Sequence, residues 1–290
     1  MFNWDLNTVN DNLRLIKYQN FDAIQINPIQ PLKEDGKNLW WLSYQPCGFR
    51  IGNQYGSKED LIDLCRNAKK YDLKIIGDVI CNHTAGANDG SLNQSDKVDR
   101  VLMDNPRFWK EKKNITNWDD RNQVISLCMG LPGLNQANYD LQDITSSFLN
   151  EMIDCGVDGF RFDAAKNIAL PNENCDFWPR VIYCLKKYGI FLYGELIFES
   201  EDRALEYTKY IKILTSACYN KIKKDNIINF VESHDSYYDF KYTTNMDSKT
   251  ISSIYSVQTH IYPNTLYFVR PFDDEWKSSI VREANKVKIR

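Results

Sequence analysis

The chain has 290 residues, of which 43% are hydrophobic and 26% charged, and its formal net charge is −3. This length favours one α/β barrel with a large core, since such barrels need about 250 residues. The slightly acidic balance argues against a nucleic-acid partner or an anionic membrane surface. Since no basic, apolar leader or long apolar run is present, we expect a cytoplasmic protein without a membrane span.

The eight cysteines do not predict a structural metal site. None lies in the C-x-x-C spacing that structural zinc sites usually contain. Several fall on apolar faces of predicted elements, where cysteine behaves as a small core residue. We therefore expect reduced, buried thiols, a pattern that favours a reducing compartment.

Segments with helical and extended patterns alternate along the chain. Val9, Leu13 and Ile16 share one face of a first helix, with Asn7 as its candidate N-cap, and Ser57 is a good N-cap for a second helix. Later helices are predicted near 144–153, 177–185, 248–262 and 276–287. The predicted strands cover 22–27, 74–79, 157–163, 191–195, 227–233 and 265–269. Repeated strand–helix units predict a parallel sheet covered by helices, and their number favours a closed barrel.

The alternation is interrupted between residues 84 and 135. This stretch is polar, rich in Asn and Asp, and punctuated by Gly86 and Gly90. We interpret it as an insertion at 84–135, with the remaining barrel formed by 1–83 and 136–290. No G-x-G-x-x-G or Walker loop opens a predicted helix, which argues against an organic nucleotide cofactor.

Four acidic residues stand at the ends of predicted strands: Asp78, Asp163, Glu195 and Asp235. The carboxyl ends of barrel strands converge on one face, and that face carries the active site. A single acid at such a position is more often a turn or helix cap, but four of them indicate a shared site. Arg161 lies two positions before Asp163, so both side chains point to one face, where the arginine can hold the carboxylate ionised.

The sequence Ser233-His234-Asp235 invites comparison with a hydrolase triad. Neighbouring side chains on a strand point in opposite directions, which predicts that these three residues form no local relay. The chain also has no G-x-S-x-G elbow. Of the three histidines, His83 and His234 lie close to the strand-end acids in the sequence, whereas His260 is interpreted as an ordinary helix residue.

These residues lie in motifs that resemble the signatures of the α-amylase family of glycoside hydrolases. The matching segments are 78–83 (D-x-x-x-N-H), 159–166 (G-x-R-x-D-x-x-K), 194–195 (G-E) and 230–235 (ending in H-D). Segment 131–135 resembles an additional signature of the family. Trp40-Trp41, followed by Tyr44-Gln45-Pro46, resembles a loop of α-amylases proper. Together, in order and over nearly the whole chain, the motifs are specific.

The resemblance implies a (β/α)8 TIM barrel with a small domain B, residues 84–135, inserted after the third strand. It implies that Asp163 is the nucleophile, Glu195 the general acid and then base, and Asp235 a residue that binds sugar hydroxyls. The implied substrate-binding residues are Tyr44, Gln45, Trp41, His83, Arg161, Lys166 and His234. Such retaining chemistry uses two carboxyl groups about 5–5.5 Å apart. Glu195 acts first as an acid, so we expect its pKa to be raised.

The resemblance also implies a calcium ion, which this sequence supports only in part. Asn82 is a candidate ligand, and Asn167 stands where the family often contributes a backbone carbonyl. Gly133 stands where many family members have an Asp ligand, and glycine has no carboxylate. Calcium prefers six to eight oxygen ligands, often including carboxylates, so we expect weak binding or none.

The chain ends differ from the family pattern. The first barrel strand is expected to be reduced to about residues 1–3, and the residues after Pro271 leave no room for the usual domain C. The leading functional hypothesis is endo-cleavage of α-1,4-glucosidic bonds in starch, glycogen or maltodextrins. Two alternatives stay open: a transglycosidase or α-glucosidase of the same family, and a truncated chain that binds glucans with little activity. No oligomeric state is predicted.

Overall fold

The computed structural model describes residues 1–34 and 39–287. A sheet of seven parallel strands lies at the centre of this part of the chain. The strands are β1 (Ala23–Ile26), β2 (Lys74–Val79), β3 (Gly159–Phe162), β4 (Phe191–Glu195), β5 (Lys212–Leu214), β6 (Ile227–Phe230) and β7 (Thr265–Leu266). Each strand is adjacent to its neighbours in sequence, so chain order is also sheet order. The predicted parallel sheet with intervening helices is confirmed.

Ten α-helices accompany the sheet in the described ranges. They are α1 (Leu6–Asp11), α2 (Leu13–Tyr18), α3 (Lys58–Lys70), α4 (Arg100–Met103), α5 (Arg121–Ser126), α6 (Tyr139–Cys155), α7 (Phe177–Tyr183), α8 (Glu201–Tyr207), α9 (Ser248–Thr259) and α10 (Ser279–Ala284). Short 3-10 helices cover Trp40–Tyr44, Pro106–Phe108, Ala165–Asn167, Pro171–Glu173, Lys224–Asn226 and Glu275–Lys277, and a π-helix covers Asp235–Asp239. None of the described helices is long and apolar enough to cross a membrane.

Local hydrogen bonds explain where the first helices begin. As predicted, α3 follows Ser57, whose backbone N–H donates to the Asp60 carboxylate at 2.8 Å while its hydroxyl accepts from the Asp60 N–H. Such a capping box satisfies two backbone donors at once. The N-cap of α1 is Asp5, which accepts from the Thr8 N–H at 2.7 Å, so the prediction of Asn7 was wrong.

Apolar side chains from distant strands meet on the inner face of the sheet. Ile76, Tyr193, Leu214, Ile228 and Phe230 come from β2, β4, β5 and β6 and form one buried cluster. Side chains from strands so far apart in the sheet can meet only if the sheet curls around them, as in a barrel. This curl brings the carboxyl ends of the strands towards a common face.

The two edges of the sheet, β1 and β7, are not paired with each other within the described residues. Residues 1–3 lie between these edges. The Met1 amino group donates to the Gln25 carbonyl oxygen at 2.9 Å, and the Phe2 ring lies 5.5 Å from that of Phe268. Asn3 has φ +59°, a left-handed conformation that interrupts extended backbone. The reduced first strand expected here is therefore not formed, and the implied third, fourth, fifth and seventh strands are β2, β3, β4 and β6.

A second, smaller core supports the segment between β2 and β3. It includes Cys47, Val98, Leu102, Phe108 and Leu134. The domain boundaries at 84–135, 1–83 and 136–290 stay a prediction. The two barrel ranges also include residues 35–38 and 288–290, which lie outside the described residues.

The last helix differs in detail from the predicted apolar stripe. Trp276 and Ala284 are buried as expected, but Ile280 is 38% exposed and Val281 is buried in its place. The reason is that α10 begins at Ser279, after a separate 3-10 turn around Trp276. A single helical repeat therefore does not run through the predicted stripe.

The eight cysteines are all free thiols. Six of them are buried, as the core interpretation predicts, while Cys184 and Cys218 are exposed. Burial raises the pKa of Cys47 to about 11 and that of Cys65 to about 12, so these thiols stay protonated and unreactive.

Candidate active site

Arg161 is the centre of a buried cluster at the carboxyl ends of β2, β3 and β4. Its side chain is 1% exposed. Nη1 donates to Asp78 Oδ1 and to Asp163 Oδ1, each at 2.8 Å, and Nη2 pairs with Glu195 Oε1 at 2.8 Å. The parallel register places Asp78 directly beside Arg161. One guanidinium therefore holds three carboxylates, including two of the three candidate catalytic acids.

The chain turns sharply immediately after Asp163. Ala164 has φ +46°, a conformation that is uncommon for a residue with a side chain. Its N–H donates to Glu195 Oε2 at 3.1 Å, while the other oxygen of that carboxylate binds Arg161. Such local backbone strain is often found at functional sites. Here it orients Glu195 next to Asp163.

Asp235 lies at the start of the π-helix that follows β6, and its side chain is 24% exposed. The strand ends at Phe230, earlier than predicted, so side-chain alternation does not apply to residues 233–235. His234 Nε2 consequently lies 3.4 Å from Asp235 Oδ1, which corrects the expectation that these neighbours point apart. The Ser233 hydroxyl accepts from the Ser236 N–H, so the three residues do not form a triad relay.

Aromatic rings and two imidazoles form one wall of the site. The Tyr44 hydroxyl donates to Asp78 Oδ2 at 3.2 Å, and its ring stacks on His234 with centroids 4.8 Å apart. His83 Nε2 lies 2.8 Å from the Tyr44 carbonyl oxygen. Phe2 also stacks on His234, at 5.2 Å. Phe2 was expected in a strand, and its contact with His234 was not predicted.

The other implied sugar-binding residues lie farther from the arginine. Trp41 is 47% exposed, and Gln45 is half-buried at the end of the same 3-10 helix. The Lys166 ammonium donates to the Ile197 carbonyl and lies 4.9 Å from the ring centroid of Trp118. Trp118, from the inserted segment, is an exposed aromatic residue that the sequence analysis did not single out.

The cluster contains one arginine and four carboxylates, which makes it costly to ionise every acid. Burial raises the pKa of Asp163 and Asp78, although Arg161 opposes the rise. Burial and the nearby Glu195 raise the pKa of Asp235 to about 7. For Glu195, burial is outweighed by Arg161, His234 and the Ala164 N–H, which together lower its pKa. The raised pKa expected for Glu195 is therefore wrong for this arrangement of the side chains.

Both histidines of the site are neutral at neutral pH. Burial lowers the pKa of His83 to about 4. Burial, together with the charge of Arg161, lowers the pKa of His234 to about 3. A neutral imidazole has one donor and one acceptor nitrogen, so each ring is suited to hydrogen-bond a hydroxyl without adding charge. The third histidine, His260, is exposed; it lies immediately after α9, one position beyond the helix in which it was predicted, and its Nδ1 lies 2.7 Å from the Ser256 carbonyl oxygen.

A second buried ion pair was missed by the sequence analysis. Arg270 binds Glu232 through two hydrogen bonds of 2.9 Å. Arg270 also donates to the carbonyl oxygens of Thr243 and Met246, each at 2.9 Å. It therefore fastens the segment that follows Asp235 to the chain beyond β7. Glu232 lies within the motif at 230–235, but Arg270 is 38 positions away and matches no motif, so no sequence signal identified the pair.

A cavity of about 300 Å³ extends from the carboxylate cluster into the space between the sheet edges. Tyr44, Asp78 and Glu195 line one part of it, and Ala23 and Thr265 line another. Of the four acids of the cluster, Asp78 and Glu195 therefore line this open space.

The oxygens that the resemblance assigns to calcium already bind a side chain of this protein. Asn82 Oδ1 and the Asn167 carbonyl oxygen accept hydrogen bonds from the Lys110 ammonium at 2.8 and 2.9 Å. Burial lowers the pKa of Lys110 to about 7. Gly133 adds no carboxylate, and the described residues contain no group of three or more His, Cys, Asp or Glu side chains suited to a metal. These residues do not fit a calcium ion.

The stability of the fold should depend on the protonation of Asp235. Its folded-state pKa is about 7 against an ordinary 3.8, so the folded state favours the protonated acid. That contribution is present below about pH 4 and is lost as the pH rises through about 7. Asp235→Asn should therefore be more stable than wild type by on the order of 2 kcal/mol at about pH 8, with little difference at about pH 4.

Urea unfolding at both pH values measures this effect. Asp274→Asn is a suitable control because its carboxylate is 81% exposed and pairs only with a nearby lysine. A gain from Asp235→Asn that is equal at both pH values would contradict the proposed titration.

The family model described as the α-amylase catalytic domain matches residues 3–285. The chain belongs to the α-amylase family. An alpha-amylase of Clostridium acetobutylicum is 29% identical over 325 aligned residues, which cover 98% of this chain and 42% of that relative. The chain thus spans well under half the length of this curated relative.

Solved structures show the same family fold. The alpha-amylase of Geobacillus thermoleovorans, complexed with acarbose, aligns with a TM-score of 0.74 at 19% identity and covers 97% of this chain and 71% of its own. A variant of alpha-amylase I from Eisenia fetida, in complex with maltohexaose, aligns with a TM-score of 0.63 at 19% identity. That alignment covers 74% of this chain and 48% of the other.

Proposed function

We propose that this chain is a retaining glycoside hydrolase that cleaves α-1,4-glucosidic bonds in starch, glycogen or maltodextrins. The observation that supports this most directly is the binding of Asp163 and Glu195 to the two terminal nitrogens of one buried arginine. Retaining enzymes need two carboxyl groups close enough for one to attack while the other protonates the leaving oxygen. Two acids on the same guanidinium satisfy that requirement.

In this mechanism, the Asp163 carboxylate attacks the anomeric carbon as the glycosidic bond breaks. Glu195 donates its proton to the departing oxygen, and a covalent glycosyl-enzyme forms. Water then attacks the same carbon and gives its proton to Glu195, which releases the sugar and regenerates both acids. Asp235 and the two neutral histidines bind the hydroxyls of the sugar that is cleaved.

The chemistry requires ionised Asp163 and protonated Glu195, yet the pKa shifts of the free site run in the opposite directions. The pKa of Asp163 is raised by burial, while that of Glu195 is lowered because Arg161 and His234 outweigh burial. Closely coupled acids share their protons as one system, so a small change in contacts redistributes them. If bound substrate displaces Glu195 from Arg161, the arginine still stabilises the charge of Asp163. Glu195, without its cation, would then hold the proton and act as the acid.

The substrate class follows from the exposed aromatic faces and from the relatives. Trp41 and Trp118 are about half exposed, and exposed indole faces can stack on sugar rings. The structural relatives from Geobacillus thermoleovorans and Eisenia fetida are complexes with acarbose and maltohexaose. An α-glucan is the polymer that suits both observations.

Product analysis tests the proposal directly. Incubation with soluble starch should yield a series of short maltodextrins, and incubation with maltotriose should yield slow hydrolysis, both followed by chromatography. Products longer than maltotriose would instead indicate a transglycosidase, and release of glucose alone from starch would indicate an α-glucosidase. An unchanged substrate would indicate a glucan-binding chain. Asp163→Asn, purified in parallel, controls for contaminating amylase.

A further inference from the structure

Lys110 is a buried basic residue that no part of the proposed mechanism uses. It lies in the inserted segment, and its side chain is almost fully buried. Its backbone N–H donates to the Gly133 carbonyl at 2.9 Å, and the adjacent residues Trp109 and Leu134 form a β-bridge. Lys110 and Gly133 are therefore fixed side by side. A lysine so deeply buried is uncommon unless its ammonium has strong partners.

The partners of the Lys110 ammonium come from two different strand ends. Asn82 follows β2, and its side-chain oxygen accepts at 2.8 Å. Asn167 ends the 3-10 helix after β3, and its carbonyl oxygen accepts at 2.9 Å. Both positions adjoin the active site: His83 follows Asn82, and Lys166 precedes Asn167. The ammonium thus joins the inserted segment to two of the strands that carry the site, β2 and β3.

Gly133 and Lys110 are sterically dependent on each other. A Cβ atom at residue 133 would lie 2.8 Å from Cδ of Lys110 and 3.3 Å from its Cβ and Cγ. Real Cβ atoms almost never approach other atoms as closely as the first of these distances. An aspartate at 133 therefore cannot coexist with Lys110 in this conformation. The lysine stem fills the space that the missing side chain would need.

The donor set suits an ammonium better than a calcium ion. Calcium takes six to eight oxygens, often including carboxylates, whereas an ammonium has three donors and is satisfied by a few neutral acceptors. Here the acceptors are one amide oxygen and one carbonyl oxygen. We propose that the Lys110 side chain occupies the place of the structural calcium ion and joins the inserted segment to the barrel, so that this chain needs no calcium.

The first test compares melting temperatures in EDTA and in millimolar calcium chloride. Wild-type protein should melt at the same temperature in both. Lys110→Met keeps the apolar stem but removes the ammonium, and it should lower the melting temperature by on the order of 5 °C. The matched control is Lys112→Met, since Lys112 is exposed and, among the described residues, bonds only the side chains of Asn93 and Gln94. It should melt like wild type.

The second test restores the carboxylate. The double variant Lys110→Ala, Gly133→Asp removes the obstructing stem and adds the acid, and Gly133 has no positive φ that would oppose the change. Added calcium should raise its melting temperature in a saturable way, as binding to the folded state alone requires.

Three results would overturn the proposal. The first is a wild-type melting temperature that rises with calcium and falls in EDTA. The second is a Lys110→Met variant as stable as its Lys112→Met control. The third is a folded double variant that does not respond to calcium, because the pocket would then not be a calcium position. None of these measurements depends on enzymatic activity.

Discussion

Asp163→Asn should abolish starch hydrolysis, with a loss in kcat on the order of 10⁴-fold or more. The amide is a poor nucleophile, so the covalent intermediate cannot form. Glu195→Gln should cost about 10²–10⁴-fold, the usual contribution of a general acid. Initial rates on soluble starch, measured with high enzyme concentration, give both values.

The two variants can be separated by their response to the leaving group. An aryl maltoside with a strongly acidic phenol needs no proton when the bond breaks. Glu195→Gln should therefore recover much of the first step on this substrate, whereas Asp163→Asn should not. If both variants recover equally, or if either retains near-native starch hydrolysis, the assigned roles are wrong.

Neither change should unfold the protein. Arg161 keeps Asp78 and one further carboxylate in each variant, so no buried charge is left without a partner. Melting temperatures close to that of wild type provide the control that the loss of activity is chemical.

The sequence predicted the centre of the site well for a simple physical reason. Asp78, Asp163 and Glu195 follow or end recognisable parallel strands, and the ends of such strands meet on one face. The spacing of Arg161 and Asp163 then predicts their contact, because side chains two positions apart share a face. Strand register and side-chain alternation are local properties, so they can be read from a short motif.

The parts that could not be predicted depend on contacts between distant segments. Arg270 meets Glu232 across 38 positions, and Lys110 meets Asn167 across 57. Neither contact has a periodic pattern or a motif. The strand β5 was also missed, since it has three residues and is followed by a 3-10 turn rather than an α-helix. Short elements carry too little pattern to be recognised.

The same dependence on partners explains why the pKa of Glu195 was expected to change in the wrong direction. The raised pKa was expected from the role of Glu195 as the acid that acts first. The motif did not reveal that Arg161 contacts Glu195 as well as Asp163. Arg161 contacts Asp78 and Asp163 too, and their pKa values are raised, so the direction of each shift depends on the balance between burial and all the contacts of that acid, such as the Ala164 N–H for Glu195.

Arg161→Met should have the largest effect on stability of any single change in this site. It leaves Asp78, Asp163 and Glu195 buried with no cation among them, and breaking a buried ion pair costs about 3–5 kcal/mol. Arg161→Lys should recover little, because a lysine ammonium cannot span three carboxylates as a planar guanidinium does. The exposed pair of Arg66 and Asp63 provides the control: Arg66→Met should cost less than about 1 kcal/mol.

The loss in Arg161→Met should depend on pH in a defined direction. Without the arginine, the pKa values of Asp78 and Asp163 rise further above those of the unfolded chain, and Glu195 loses the main contact that lowers its pKa, so the folded state favours the protonated acids. The free energy of unfolding of the variant is then greatest at or below about pH 4, where the acids of the unfolded chain are also protonated, and it falls as the pH rises. Urea unfolding of wild type and variant should show a difference that is small near pH 4 and large near pH 8. A difference that stays constant across this range would mean that Arg161 stabilises the fold by packing alone, and the three carboxylates would then not be the reason for its burial.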